Sequence, residues 1–198
     1  MPPELCWAAI VDDRVVAKWQ ILDFQLRIGS TPIRMGGIQG VVAEPDENHK
    51  GYARLVAERA APEVLALGFD VALGFAKRGA FYLRLGAVPV TAEYQIEIDA
   101  RRIPRLHSDP FREAGESDVP AVIEHYNRAN RARTGSLVRS PEHWPWMLRK
   151  PPVLWLAPDG YLGLRWGPDN LEIREVGGQG AAFHEAALRK LHEQNPLR

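Results

Sequence analysis

Residues 40–54 read GVVAEPDENHKGYAR, and this stretch carries the strongest local signal in the chain. It predicts a strand that ends at a turn around Pro45, followed by a loop that opens a helix. The first amides of a helix lack partners within it and carry the positive end of its dipole, so they bind anions. We therefore expect a diphosphate on residues 49–54, where Gly51 permits close approach and Lys50 adds a positive charge. From spacing alone, a helix start without a ligand explains the pattern equally well.

The residues before this stretch alternate between apolar and polar side chains with a period of two, which is typical of strands. The predicted strands are 7–11, 14–21, 24–28 and 33–43. Asp12 and Asp13 have the composition of a hairpin turn. The chain is thus expected to open with an antiparallel meander.

After the loop, apolar residues recur every three or four positions, as on one face of a helix. This helix is expected to end at Gly68, and Pro62 predicts a kink or an early break within it. The elements predicted next are a short strand over 69–75, a short helix over 80–85 and strands over 88–98.

Proline and glycine interrupt the pattern around residues 103–115, which predicts a linker between two units, 1–103 and 104–198. The elements predicted for the second unit are helices over 119–130 and 141–148, strands over 153–156, 161–166 and 171–176, and a last helix that ends near Glu193. In both units a strand meander leads into a glycine-containing loop and a helix. This order suggests a distant internal repeat.

The composition is that of a globular protein with balanced charge. Among 198 residues, 25 Lys and Arg balance 25 Asp and Glu, which argues against nucleic acid as the main partner. No apolar run approaches the roughly 18 residues of a membrane span, and the first residues lack the pattern of a signal peptide. We therefore expect no membrane partner and a cytoplasmic location. The single Cys6 and the spacing of the histidines predict no metal site.

Other motifs with catalytic or phosphate-binding potential do not fit this sequence. The glycines of residues 36–40 precede their strand rather than follow it, and no Gly-Lys-Ser or Gly-Lys-Thr triplet is present. Ser136 lacks the Gly-x-Ser-x-Gly context of a hydrolase nucleophile. The sequence therefore favours the loop before the first long helix as the ligand site.

Three segments resemble motifs of the GCN5-related N-acetyltransferase (GNAT) superfamily. Residues 48–53, NHKGYA, are similar to its Gln/Arg-x-x-Gly-x-Gly/Ala loop, with Asn48 in place of the usual Gln or Arg. Residues 80–87, AFYLRLGA, are similar to the Phe-Tyr-x-x-x-Gly-Phe helix that follows the splayed fifth strand of that family. Residues 133–144, RTGSLVRSPEHW, resemble the Eis-type branch, which is built from tandem GNAT units.

This resemblance implies an α/β fold: a GNAT-like mixed, mostly antiparallel sheet flanked by helices, followed by a second, partial GNAT-like unit. It implies acetyl-CoA as the co-substrate and direct transfer of its acetyl group to a primary amine of a small molecule. Aminoglycoside-like compounds are among the acceptors that it implies. A non-catalytic CoA-binding or regulatory module is the alternative. The resemblance begins at the family's second strand, which implies a fragment whose partners are either a second copy or missing domains of a longer chain.

The resemblance also implies roles for individual residues. The backbone of Val41, Val42 and Ala43 would pair with the pantetheine arm, and Tyr82 would protonate the departing thiolate. The amides that would hold the diphosphate belong to His49, Lys50, Gly51, Tyr52, Ala53 and Arg54. Without the resemblance, packing of Tyr82 with its hydroxyl on a backbone group is the simpler interpretation.

Overall fold

The computed structural model of the chain divides into two compact units. Unit 1 contains residues 1–93 and 134–143, and unit 2 contains residues 94–133 and 144–198. The structure describes residues 4–91, 96–99, 110–148, 153–167 and 170–193. The predicted boundary between residues 103 and 104 lies outside the described residues.

The described residues form strands and helices in both units. The strands are β1 (Glu4–Val11), β2 (Arg14–Ile28), β3 (Thr31–Ala43), β4 (Val71–Leu73), β5 (Arg112–Glu113), β6 (Leu137–Val138), β7 (Val153–Ala157), β8 (Gly160–Trp166) and β9 (Leu171–Val176). The α-helices are α1 (Tyr52–Ala66), α2 (Gly79–Leu83), α3 (Val119–Asn130), α4 (Trp144–Met147) and α5 (Ala181–Glu193). One sheet has the order β1-β2-β3-β4 with β6 beside β2, and the other has the order β5-β7-β8-β9. Among these strands only β3 and β4 pair in parallel, so the predicted mixed, mostly antiparallel arrangement is confirmed.

The first three strands form the predicted antiparallel meander. Val11 pairs with Arg14 across a two-residue hairpin in which Asp12 and Asp13 have φ angles of 49° and 60°. Positive φ at both central residues is typical of a type I′ turn, whose twist matches that of the flanking strands. The hairpin predicted from the two aspartates is confirmed.

Strand β2 is continuous, whereas the sequence predicted separate strands over 14–21 and 24–28. The polar Asp23 lies between those two predicted segments. Arg34 of β3 donates from Nη2 to the Asp23 carboxylate at 2.7 Å, so the acidic residue has a partner on the neighbouring strand. A tertiary contact thus keeps the strand intact where the hydrophobic pattern lapses.

Helix α1 covers one face of the sheet of unit 1. The unit 1 core consists of Ala17, Trp19, Ile21, Val56, Ala57, Ala60, Val64 and Phe69. Pro62 does not interrupt α1, so the predicted break was wrong. Pro62 is exposed, and the carbonyl that loses its amide partner to proline can bind water there. The helix ends close to the predicted Gly68, which has a φ of 81°.

The segment after α1 contains less strand than predicted. Strand β4 is shorter than the predicted 69–75, and α2 is shorter than the predicted 80–85. Residues 88–91 and 96–99 form no strand, so the predicted strands over 88–98 were wrong for the described part of that range. Alternating apolar residues need a partner strand and a surface to cover, and these side chains are exposed instead.

Residues 134–143 belong to unit 1 and extend its sheet. Strand β6 pairs with β2 in an antiparallel manner. The Arg27 amide donates to the Ser136 carbonyl at 2.9 Å. The ring centroids of His143 and Phe24 lie 5.2 Å apart. This segment therefore covers the end of β2 that β1 does not reach.

Unit 2 contains a four-stranded antiparallel sheet, and β7, β8, β9, α3 and α5 lie where the sequence predicted them. Leu162 and Leu164 of the central β8 are fully buried. The helix predicted over 141–148 is shortened to α4. The His143 amide donates to the Ser140 carbonyl at 3.0 Å and closes a turn before the helix begins.

Candidate functional site

Strand β3 carries a β-bulge near its end. Its register against β2 shifts so that Gly40 and Val41 both lie opposite Trp19. Gly40 has a φ of 60°, which glycine adopts without steric cost. A bulge disrupts the ladder locally and leaves the extra residue unpaired. This β-bulge was not predicted from the sequence, although an isolated glycine inside a strand pattern is a signal for one.

Strands β3 and β4 separate beyond a short ladder. Their pairing ends with Gly37 opposite Leu73. Gly74 still lies close, since a Cβ there would be 3.0 Å from the Cβ of Ile38. Within the part of the chain that the structure describes, no strand pairs with residues 38–43 on that side. An open strand edge presents backbone donors and acceptors to an extended ligand.

The loop after β3 leaves the first turn of α1 uncapped. A 3-10 turn over Pro45–Glu47 leads into the loop, His49 has a φ of 67°, and Gly51 is the N-cap with a φ of 90°. No side chain caps the helix, and no described atom lies within 4 Å of the point where a Gly51 Cβ would be. The first helical bond runs from the Leu55 amide to the Gly51 carbonyl at 3.0 Å, so the preceding amides lack helical partners. The helix start is open, as anion binding requires.

The other predicted binding residues lie around this helix start and along the open strand edge. Val41 and Ala43 pack against the unit 1 core, whereas Val42 between them is 50% exposed. Tyr52 and Ala53 also pack against that core. Their side chains are therefore occupied, and what these residues offer a ligand is their backbone.

Both basic side chains of the loop and first turn are paired with carboxylates. The Nζ of Lys50 lies 2.9 Å from Oε2 of Glu47, and this partner raises the pKa of Lys50. The Nε of Arg54 lies 2.6 Å from Oε1 of Glu58, one turn further along α1. From the sequence, Lys50 was expected to add a positive charge. The i,i+3 and i,i+4 spacing of these residues was the sequence signal that the two basic groups are paired.

Tyr82 lies on α2, which packs on the same core as the open helix start. Phe81 and Leu85 contact the unit 1 core, and the rings of Phe81 and Tyr82 meet edge to face at 5.0 Å. Burial alone raises the pKa of the Tyr82 hydroxyl. Among the described residues, no backbone group accepts a hydrogen bond from it. The phenol is thus protonated at neutral pH.

Unit 2 has a comparable glycine loop before α5, and aromatic rings pack against two of its glycines. A Cβ at Gly177 would overlap the ring of Tyr161, and one at Gly178 would overlap the ring of Phe183. These glycines therefore serve close packing. The small cavity beside the loop is lined by His125, Arg128, Ala129, Asp159, Gly177, Gly178 and Gln179. Gly180, directly before α5, has a φ of 89°, its Cβ position is open, and its carbonyl accepts from the His184 amide at 3.2 Å, so the start of α5 resembles that of α1 at its glycine.

Two further kinds of site are absent from the described residues. No three His, Cys, Asp or Glu side chains in that part of the chain lie together as metal ligands would. Likewise, none of the helices described there combines the length and the apolar character that crossing a bilayer demands.

Comparison with known families accounts for the geometry of unit 1. Residues 3–90 match the family described as "Acetyltransferase (GNAT) domain". Residues 3–90 are thus similar to GNAT acetyltransferase domains. The match includes the bulged strand, the open start of α1 and the helix that carries Tyr82. The resemblance found in residues 48–53 and 80–87 is thereby confirmed.

The chain is similar to Eis-type acetyltransferases beyond these residues. It is 26% identical over 182 residues to the N-acetyltransferase Eis of Mycobacterium tuberculosis (strain ATCC 25177 / H37Ra), a match that covers 82% of this chain and 45% of the relative. The Eis protein of Mycobacterium bovis (strain BCG / Pasteur 1173P2) matches to the same extent. The chain spans about half the length of the curated relatives it matches.

Solved structures share the fold over both units. A GCN5-related N-acetyltransferase from Kribbella flavida is similar with a TM-score of 0.70 and 22% identity, over 94% of this chain and 49% of that one. A probable N-acyltransferase from Enterococcus faecalis V583 reaches a TM-score of 0.76 at 15% identity, over 96% and 52%. Eis1 from Mycobacterium abscessus reaches 0.67 at 18% identity, over 95% and 53%. The GNAT fold of the chain is therefore shown.

Proposed function

We propose that this chain transfers the acetyl group of acetyl-CoA to a primary amine of a small molecule. The observation that carries the proposal is the uncapped start of α1 at Gly51, which is open where a diphosphate would bind. It lies in the residues that match the GNAT acetyltransferase domain, and Eis-type N-acetyltransferases are its curated relatives. Aminoglycosides are the first acceptor class to test, because of the resemblance to the Eis-type branch.

The proposed binding mode uses backbone groups almost throughout. The open edge of β3 at Val41, Val42 and Ala43 would pair with the amide groups of the pantetheine arm. The amides of His49 and of residues 51–54 would hold the diphosphate at the helix start, while the Lys50 amide donates to the Glu47 carbonyl at 3.4 Å. Main-chain donors are already oriented by the strand and the helix, so binding costs little reorganisation.

The proposed chemistry is direct attack of a neutral amine on the thioester carbonyl. A carbon–nitrogen bond forms while the carbon–sulfur bond breaks, and the nitrogen gives its extra proton to solvent. Unpaired main-chain amides at the Gly40 bulge would stabilise the charge that develops on the carbonyl oxygen. Tyr82 would donate its proton to the departing thiolate, since burial keeps the phenol protonated at neutral pH.

The test is release of free thiol from acetyl-CoA by the purified chain. Aminoglycosides, polyamines and lysine-containing peptides would be offered in parallel, with binding of CoA measured on the same preparation. Thiol release that depends on one acceptor class supports the transferase. Binding of CoA without release under any acceptor supports the non-catalytic module. Absence of binding at millimolar CoA would refute both the transferase and the non-catalytic module.

A further inference from the structure

We propose that Glu47 weakens the binding of the CoA diphosphate to the loop, because it pairs with Lys50, the lysine of the loop that leads into the open helix start. This inference rests on the proposed function, since it assigns a regulatory role within the same site. It concerns how tightly the ligand is held. It does not concern which reaction follows.

The Glu47 carboxylate is the fixed partner of the pair. Its residue ends the 3-10 turn, where its amide donates to the Glu44 carbonyl at 2.9 Å. Its side chain is 15% exposed, against 55% for Lys50. The ammonium group on its long, exposed stem is therefore the partner that can move, and it can leave Glu47 for another anion.

Because both basic side chains near the helix start are already paired, Lys50 can contact a diphosphate only by leaving Glu47. Residues 44–58 contain four acidic side chains, Glu44, Asp46, Glu47 and Glu58, but only two basic ones, Lys50 and Arg54. Both basic groups are held by carboxylates, at 2.9 Å and 2.6 Å. An arriving diphosphate thus meets amide hydrogens but no unpaired Lys or Arg in this stretch, and it must compete with Glu47.

The competition sets the size of the expected effect. An ion pair whose ammonium group lies on an exposed side chain contributes little, so a diphosphate with two or more charges can displace the carboxylate, at a cost of up to about fivefold in affinity. The displaced Glu47 then remains close to the ligand and favours its departure. CoA is the product that must leave after each transfer, so this pair would speed its release.

The experiment compares the CoA affinity of the full chain and four variants by calorimetry, the fourth being the double variant Glu47→Gln with Lys50→Met. Glu47→Gln is expected to bind CoA about three- to fivefold more tightly, because Lys50 is then free. Asp46→Asn is the matched control: it removes the same charge one residue earlier, where the partner is Arg14 at 3.5 Å. Its gain is expected to be clearly smaller. In a Lys50→Met background, Glu47→Gln is expected to bring no gain.

Pantetheine, which lacks the diphosphate, separates this effect from a general change of the site. Its affinity is expected to be the same in the natural chain and in Glu47→Gln. Equal gains in Glu47→Gln and Asp46→Asn, or a gain that persists with Lys50→Met, would overturn the inference in favour of a diffuse charge effect. A folded chain that binds no CoA would refute the proposed function itself, whereas CoA binding without a gain in Glu47→Gln refutes only the role of Glu47.

Discussion

At the scale of single residues, the Tyr82 hydroxyl is the group on which the proposed chemistry depends. Tyr82→Phe should lower the rate of thiol release by about 10²–10⁴-fold while CoA affinity stays unchanged, because only the proton donor is lost. Burial raises the pKa of Tyr82 above its usual value near 10. An acid acts while protonated, so its contribution should persist through neutral pH and disappear on the alkaline side of that value.

The matched control for this variant is Tyr161→Phe, which removes a phenol hydroxyl from unit 2. The Tyr161 hydroxyl donates to Glu175 at 2.9 Å and has no role in the proposed site. Thiol release should be unaffected by this change. A Tyr82→Phe chain that released thiol at the natural rate would show that another group protonates the thiolate.

Gly51 is required by its backbone conformation, not by lack of space. Its φ of 90° disfavours any side chain, yet nothing described lies within 4 Å of the position that a Cβ would take. Gly51→Ala should therefore lower the free energy of unfolding in urea by about 1–2 kcal/mol. Gly79→Ala is the control, because that position is equally open and helical. It should be neutral or stabilising. Equal loss in both variants would contradict this account.

At the scale of elements, the start of α3 depends on an ionised Asp118. Its carboxylate accepts from Arg112 Nη2 at 2.6 Å and from the Gly115 amide at 2.9 Å, which lowers the pKa of Asp118 to about 2. Asp118 occupies the N-cap position of α3. In the structure its side chain binds the strand and turn before the helix instead, and no side-chain bond caps the first helical turn.

The lowered pKa predicts how stability depends on pH. A carboxyl group with a depressed pKa stabilises the folded state fully above its unfolded value near 3.9, and this contribution is lost as pH falls through about 2. The difference in urea midpoint between the natural chain and Asp118→Asn should thus be constant from pH 7 to about 5 and shrink below that. A difference independent of pH would argue against the ion pair.

At the scale of the whole molecule, unit 1 is completed by residues 134–143, far along the chain. They supply β6, the hydrogen bond from the Arg27 amide to Ser136, and the His143 ring beside Phe24. Phe24 and Leu26 of β2 are 8% and 6% exposed. The end of β2 therefore depends on a segment that local sequence patterns cannot connect to it.

Replacing residues 134–143 with a Gly/Ser linker of equal length tests this dependence. Amide hydrogen exchange should become faster in residues 24–28, because their backbone bonds to β6 and part of their cover are lost. Residues 160–166, the central strand of unit 2, serve as the internal control and should exchange at the natural rate. Unchanged protection of residues 24–28 would mean that β6 contributes nothing to the sheet.

Local patterns were sufficient for the elements whose residues interact with near neighbours in sequence. The Asp12-Asp13 hairpin, the start of α1 at Gly51 and helix α3 follow from turn chemistry and helical periodicity, which act over a few residues. Local patterns failed where the residue that stabilises a strand, or would pair with it, is distant in sequence. Asp23 stays in β2 because of Arg34, and residues 88–91 form no strand because nothing described pairs with them.

The order of the residues by itself determined that a strand leads into a helix that begins after Gly51. It also determined that a later, short helix carries Tyr82. Only the tertiary structure decided that β3 bulges opposite Trp19, that β3 and β4 part after Gly37, and that Glu47 holds Lys50. The physical reason is the distance along the sequence over which each kind of interaction acts. Turn and helix preferences are properties of adjacent residues, whereas strand register, an open sheet edge and the pairing of charges depend on which surfaces meet once the chain has folded.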